Sequence, residues 1–333
     1  MSEEKPQGEK GIVGLQNMGN TCYANSTLQI LRAVPEWSVF CLATDFEKVF
    51  DTQEKKENKY AKILLAYQDI LKSLWSASYP AYVRPLGFLY AVQNAVQGTV
   101  YDSFGRREQN DSHEYLIYLL DHFHESLIKQ STSESTDGWI SFKEKNNSPV
   151  VDLFFGMIRK TIICAGCGNC SYQWEPFNVF KIPCTGESFE DWISNELVQS
   201  ELEDYDCIKC RPTRQKAVIH SHLWHLPASL FIALRRFQFD GRKNMIACPY
   251  KGEKVNLKKF FALECSDESK NYTYEVRGVV DHHGSHMGGH YTSQFCNPTS
   301  RNFWFMDDER GMKMEGGPMF GPSNYLLYFR KIE

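Results

Sequence analysis

Two Cys-x-x-Cys pairs, Cys164-Ala165-Gly166-Cys167 and Cys207-Ile208-Lys209-Cys210, restrict the folds open to this chain more than any other feature. Each pair is a knuckle whose two sulfurs converge on one point. Two knuckles complete a closed tetrahedral four-thiolate site, the usual setting of a structural zinc ion. Roughly forty residues separate them, more than ordinary ribbon spacing, so they are expected at the tips of two hairpins that meet in space. Cys170 lies near enough in sequence to be a substitute ligand. A closed site has no open position for a substrate, so it is assigned no catalysis. The eleven cysteines are an odd number, and the polar, charged start Met1 to Lys10 is no secretory signal. Metal and catalysis are therefore expected rather than disulfides, in a cytoplasmic or nuclear setting.

The chain reads as a helix-rich part followed by a β-rich part. Residues 1–10 are expected as a disordered leader and 11–333 as a single domain. Its first part, to about residue 150, is helical; from about 151 short strands and turns take over. Helices are predicted at 22–33, over Tyr60 to Ala77 with Ile63, Leu64, Tyr67, Ile70, Leu71 and Leu74 as the buried stripe, and from Asp111 or Ser112 onward. The Ser/Thr/Glu/Lys/Asn-rich stretch 130–149 reads as a mobile surface loop. No apolar run approaches the ~20 residues of a membrane helix, and a net charge of -4 gives no reason to expect nucleic acid. An aromatic share of 14% points to several surfaces packed with large rings.

Near the front, Gly14-Leu15-Gln16-Asn17-Met18-Gly19-Asn20-Thr21 gathers turn formers directly before Cys22. An amphipathic helix follows, with Thr21 as its cap and Cys22 on its first turn, where the dipole and unpaired N–H groups favour a thiolate. Asn17 is placed to donate a hydrogen bond to an oxyanion beside the sulfur. Near the back, the glycines and histidines of Asp281 to Gly289 form a loop ending in an alternating strand that starts at His290. Asn297-Pro298-Thr299-Ser300 turns the chain back toward Asp307-Asp308, which sets His290 beside an acid. A metal site among His282, His283 and His286 is the other reading of that loop. A cysteine, a histidine base and an orienting acid are the parts of a thiol hydrolase.

These residues resemble the ubiquitin-specific proteases, the papain-like deubiquitinases of peptidase family C19. Gly14-Leu15-x-Asn17-x-Gly19-Asn20-Thr21-Cys22-Tyr23-x-Asn25-Ser26 is similar to that family's cysteine box, and Gly289-His290-Tyr291 through Asp307-Asp308 to its histidine box. Gln109-x-Asp111-x-His113-Glu114, Leu153-Phe154-x-Gly156, the paired knuckles and Leu234-x-Arg236-Phe237 match further signatures in the right order. The resemblance implies an α+β fold of fingers, palm and thumb: a helical thumb over about 11–150, and a β palm with zinc-bearing fingers over about 151–333. It implies Cys22 as nucleophile, His290 as general base and then acid, Asp307 as the orienting acid, and Asn17 in the oxyanion hole. Aligning on Trp304 instead would make Asp308 the triad acid. Asp111, Tyr291 and Gly289 stand where the family holds the basic, diglycine-ended tail of ubiquitin. One zinc on Cys164, Cys167, Cys207 and Cys210 is implied, with ubiquitin and ubiquitinated proteins as partners of a monomeric enzyme that carries no appended domain. A protease for a ubiquitin-like modifier and an inactive ubiquitin-binding scaffold are the alternatives.

Overall fold

The predicted helix after Thr21 spans Cys22–Arg32, and every one of its residues is buried. The computed structural model describes residues 9–52, 58–76, 82–106, 108–129, 131–265 and 271–332, in two compact units. The first unit takes in Leu127 and what precedes it, Phe237–Ala247 and Val276–Tyr328. Here the amphipathic pattern of the Cys22 helix is resolved differently from a surface helix. Its apolar side packs inward, with Ile30 under Gly278 of the sheet, where an added Cβ would come within 2.9 Å of the isoleucine. Its polar side is covered too, because each short polar chain finds a local acceptor. Ser26 and Thr27 donate to the Tyr23 carbonyl, Gln29 to the Val13 carbonyl, and Asn25 to the Leu15 carbonyl.

Around it stand helices Pro35–Ala43, Lys59–Leu74, Leu86–Val96 and Ser112–Leu127. The Lys59–Leu74 helix starts on Asn58, whose side chain accepts from the Tyr60 N–H, and it buries the predicted apolar stripe. Its predicted end at Ala77 lies outside the described residues. Aromatic rings fill the space between these helices: Trp37 stacks on Phe123 at 5.5 Å between centroids, Tyr67 packs on it tilted at 5.1 Å, and Tyr23 meets Tyr115 edge-on at 5.0 Å. Such pairs add to area burial. The sheet of this unit runs, in spatial order, Arg310–Lys313, Phe303–Asp307, Gly288–Cys296, Thr273–Ser285 and Asn324–Lys331. The first four strands pair antiparallel through tight turns.

Residues 1–8 of the expected leader lie outside the described residues. Glu9 and Lys10 are tied down: the Glu9 carboxylate accepts from the side chains of Asn297, Asn302 and Ser300, and the Lys10 carbonyl from Asn297. Among the described residues no helix is long and apolar enough to cross a membrane.

The second unit holds a four-stranded antiparallel sheet in the order Cys170–Phe177, Gly156–Cys164, Gln215–His225, Ser200–Tyr205. It also holds a parallel pair, Val179–Pro183 beside Ser229–Arg235. The stretch expected as a mobile loop instead carries helices Gly138–Lys145 and Pro149–Phe154. Asp137 caps the first through the Ile140 N–H and also accepts from the Trp224 indole, while Ser148 caps the second. Side-chain caps and packing partners outweigh a polar composition that by itself reads as coil.

Candidate active site

The histidine and its acids belong to one run of antiparallel strands in the first unit. His283 pairs with His290 across the Ser285–Gly288 turn, and Ser293 pairs with Met306 on the next strand. That register brings His290 Nε2 to 2.6 Å from Asp307 Oδ1 and 4.0 Å from Asp308 Oδ2. A carboxylate only accepts, so Nε2 carries the proton and Nδ1 is left as the basic nitrogen.

Cys22 opens its helix as predicted, and the backbone N–H of Tyr291, the residue next to His290, acts on its sulfur. Thr21 does not cap through its side chain. Its hydroxyl instead accepts from the Met18 N–H and donates to Asn17 Oδ1, closing the turn before the cysteine. Burial pushes the Cys22 thiol above its ordinary value; the Tyr291 N–H opposes that rise and the Asp308 carboxylate adds to it. The N–H groups of Tyr23 and Cys22 lower it, the expected effect of a helix start, but desolvation prevails. The helix-start N–H groups thus act in the expected direction, and burial, which the sequence does not show, works against them.

Asn17 is clamped. Its Oδ1 accepts from the Gly19 and Thr21 N–H groups, and its Nδ2 donates to Asp308 Oδ2 at 2.9 Å, leaving one N–H unspent among the described residues. Asp308 lies in the turn after the strand with a left-handed backbone, φ 48, and burial raises its carboxyl above the usual range.

The residues expected to hold a substrate tail lie alongside. Asp111 Oδ1 accepts from the N–H groups of His113 and Glu114 and so caps helix Ser112–Leu127, and its Oδ2 accepts from the Tyr325 hydroxyl. Tyr291 is buried, 7% exposed. Gly289 donates its N–H to Gln109 Oε1 at 2.6 Å, and a Cβ there would lie 2.3 Å from the His283 carbonyl and 2.4 Å from His282 Nε2. Packing within the hairpin therefore already demands glycine at this position. His282 and His283 are strand residues rather than loop, and His282 Nδ1 faces the Lys243 ammonium at 3.1 Å, a donor and no metal. Among the described residues these histidines form no metal-type cluster. Gln109, Asn25, Lys243 and Tyr325 were given no role by sequence; the first two sit inside quoted motifs, and nothing local marks the others.

In the second unit the knuckles occupy adjacent hairpin ends of one sheet, as their spacing predicts. The four sulfurs of Cys164, Cys167, Cys207 and Cys210 lie within 4.8 Å of one another. The Cys164–Cys210 and Cys167–Cys207 sulfurs are 3.8 and 3.6 Å apart. A tetrahedral ion with metal–sulfur bonds of about 2.3 Å spaces its sulfurs by about 3.8 Å, so this donor set fits zinc. Cys170 is exposed and turns to the Gly168 carbonyl instead.

A profile described as "Ubiquitin carboxyl-terminal hydrolase" matches residues 13–329. The chain is 26% identical to ubiquitin carboxyl-terminal hydrolase Usp2 of Drosophila melanogaster, over 99% of this chain and 36% of that protein. It is 24% identical to human ubiquitin carboxyl-terminal hydrolase 2, over 96% of this chain and 55% of that one. It thus spans about one third to one half of the length of these curated relatives. The SAGA Ubp8/Sgf11/Sus1/Sgf73 module bound to ubiquitin aldehyde superposes with a TM-score of 0.76 at 20% identity, covering 100% of this chain and 72% of that one. The module bound to monoubiquitin gives 0.77 at 20% identity, over 97% and 70%. The fold is therefore the mixed α/β fold of these deubiquitinating modules, and the chain belongs to the ubiquitin carboxyl-terminal hydrolase family.

Proposed function

We propose that this chain is a thiol-dependent deubiquitinase that hydrolyses the isopeptide or peptide bond after the C-terminal glycine of ubiquitin. Cys22 is its nucleophile, His290 its base and Asp307 the orienting acid. One observation carries the reading: Asp307 holds His290 Nε2 at 2.6 Å, on the strand whose next residue, Tyr291, acts through its backbone N–H to lower the Cys22 thiol pKa. Structures bound to ubiquitin aldehyde and monoubiquitin share its fold, which supports ubiquitin as the acyl donor.

In this mechanism Nδ1 of His290 takes the thiol proton as the sulfur attacks the glycine carbonyl. The charge on the tetrahedral oxygen meets the unspent N–H of Asn17 and backbone N–H groups at the helix start. The imidazolium then gives its proton to the departing lysine amine. In the second half Nδ1 takes a proton from water, the hydroxide adds to the thioester, and the leaving thiolate recovers its proton from the imidazolium, which restores the starting thiol and base. Asp111 and Tyr291 flank the path of the tail. Structural zinc on Cys164, Cys167, Cys207 and Cys210 would hold two hairpin ends together and take no part in these steps.

Incubation with a ubiquitin–fluorophore substrate tests the reading. The native chain releases the fluorophore and Cys22→Ala does not, while both unfold at the same temperature. Release by Cys22→Ala at a comparable rate would sink the assignment. A panel of electrophilic ubiquitin-like probes, of which only ubiquitin should label Cys22, separates modifier choice from competence.

A further inference from the structure

Two consecutive acids close the Phe303–Asp307 strand, and they face different partners. Asp307 meets the imidazole at 2.6 Å. Asp308 is left-handed, φ 48, and its side chain, 9% exposed, receives one carboxamide on each oxygen. Asn17 Nδ2 donates to Oδ2 at 2.9 Å and Asn25 Nδ2 to Oδ1 at 2.7 Å. The second hydrogen of Asn25 Nδ2 goes to the Leu15 carbonyl at 3.1 Å, and the Leu15 N–H goes to the Asp308 carbonyl at 2.9 Å. Asn25 is 2% exposed and its Oδ1 has no partner among the described residues. Its amide can face only one way, because both neighbours accept.

This arrangement costs stability three times: a left-handed non-glycine residue, a buried carboxylate and an orphaned amide oxygen. Costs of that kind accumulate where function requires them. The requirement is visible in Asn17. Its Oδ1 is held by the N–H groups of Gly19 and Thr21, and its Nδ2 by a carboxylate that accepts only. The remaining N–H then has a single direction. Asn25 lies three residues after Cys22 on the same helix, so nucleophile and clamp share one rigid element.

We propose that Asn25 and Asp308 are positioning residues that lock the Asn17 carboxamide and bind the 15–21 turn to the acid turn, so that Asp307 serves the base while Asp308 serves the oxyanion donor. This rests on the acyl-transfer reading of Cys22. Without the carboxylate on Nδ2 the amide would be held only through Oδ1, and its unspent N–H would no longer be aimed in one direction.

The test compares two reactions of the same sulfur. Hydrolysis of ubiquitin–fluorophore passes through an oxyanion; alkylation of Cys22 by iodoacetamide does not. In Asn25→Ala and in Asp308→Gly, which suits the left-handed turn, kcat should fall about tenfold to a hundredfold with KM within about threefold. Alkylation should stay within about twofold in Asn25→Ala and be unchanged or faster in Asp308→Gly, which also removes a charge that raises the thiol pKa. The double variant should be no worse than the more damaged single one, since both act through one contact set. Should Asn25→Ala fail to fold, Asp308→Gly removes the same contact from the other side. An unchanged kcat, additive losses, or alkylation falling in step with hydrolysis would each overturn the proposal; the last would make Asp308 the acid of the base. Wild type and Cys22→Ala run alongside. A wild type that turns over nothing removes the acyl-transfer reading, and this proposal with it.

Discussion

His290 Nε2 donates to Asp307 Oδ1 across 2.6 Å, which leaves Nδ1 as the nitrogen free to take the thiol proton. Asp307→Ala removes the acceptor and should lower kcat about 10²–10⁴-fold. Asp307→Asn keeps an oxygen that accepts from Nε2 and should retain more activity than alanine. Steady-state kinetics on ubiquitin–fluorophore checks the order; equal loss in both would mean that the charge rather than the tautomer is what Asp307 supplies.

Gly14 lies against the acid turn so closely that an added Cβ would sit 2.1 Å from the Glu309 carbonyl oxygen. Gly14→Ala must push that turn away, costing about 1–3 kcal/mol. It should also weaken activity, because Asn17 and Asn25 reach Asp308 across the same junction. Thermal unfolding and turnover measured on one preparation report both effects.

The four-cysteine cluster predicts a metal-dependent unit. Cys207→Ser, or prolonged chelation at mildly acid pH, should release one equivalent of zinc and lower the melting temperature. Cys170→Ser should do neither, since its sulfur bonds the Gly168 carbonyl outside the cluster. Metal analysis together with calorimetry distinguishes the two variants.

Burial and the Lys243 ammonium push the His282 imidazole down to about 4, with Asp111 opposing and His283 and His290 adding to the shift. The folded value lies below the unfolded one of about 6.5, so the unfolded chain binds this proton first. The contribution is complete above about pH 6.5 and is lost as pH falls toward 4. Denaturant midpoints should drop over that window, and less steeply in His282→Gln.

Arg32 ends the Cys22 helix with no exposed surface, and its three guanidinium nitrogens have no hydrogen-bond partner among the described residues. The Phe295 ring lies 4.6 Å from the charge, and burial lowers the Arg32 pKa to about 9, with Tyr67 opposing. Arg32→Met should stabilise the protein by about 1–3 kcal/mol, read as a raised melting temperature with turnover unchanged.

Much of the site was legible in sequence because its parts are carried by short spacings. A cysteine after turn formers at a helix start, a histidine opening a strand, acids at the end of the next strand and paired knuckles are all local patterns. The stretch 130–149 misled because its composition is polar, while Asp137, Ser148 and Gly138, which packs on the Trp174 ring, make it helical. The thiolate expectation was incomplete for a related reason. Helix-start N–H groups are readable from residue order, whereas the desolvation and the Asp308 charge that overcome them come from distant parts of the chain.

Sequence by itself determined which groups exist and in which local element each sits: Cys22 on a first turn, His290 on a hairpin, four sulfurs in two knuckles. Tertiary structure alone decided how those groups are charged and aimed. It chose Asp307 for the imidazole and Asp308 for two carboxamides, and it buried a helix whose pattern reads as half exposed. Hydrogen-bond direction and dielectric environment depend on neighbours hundreds of residues away, and no local pattern encodes them.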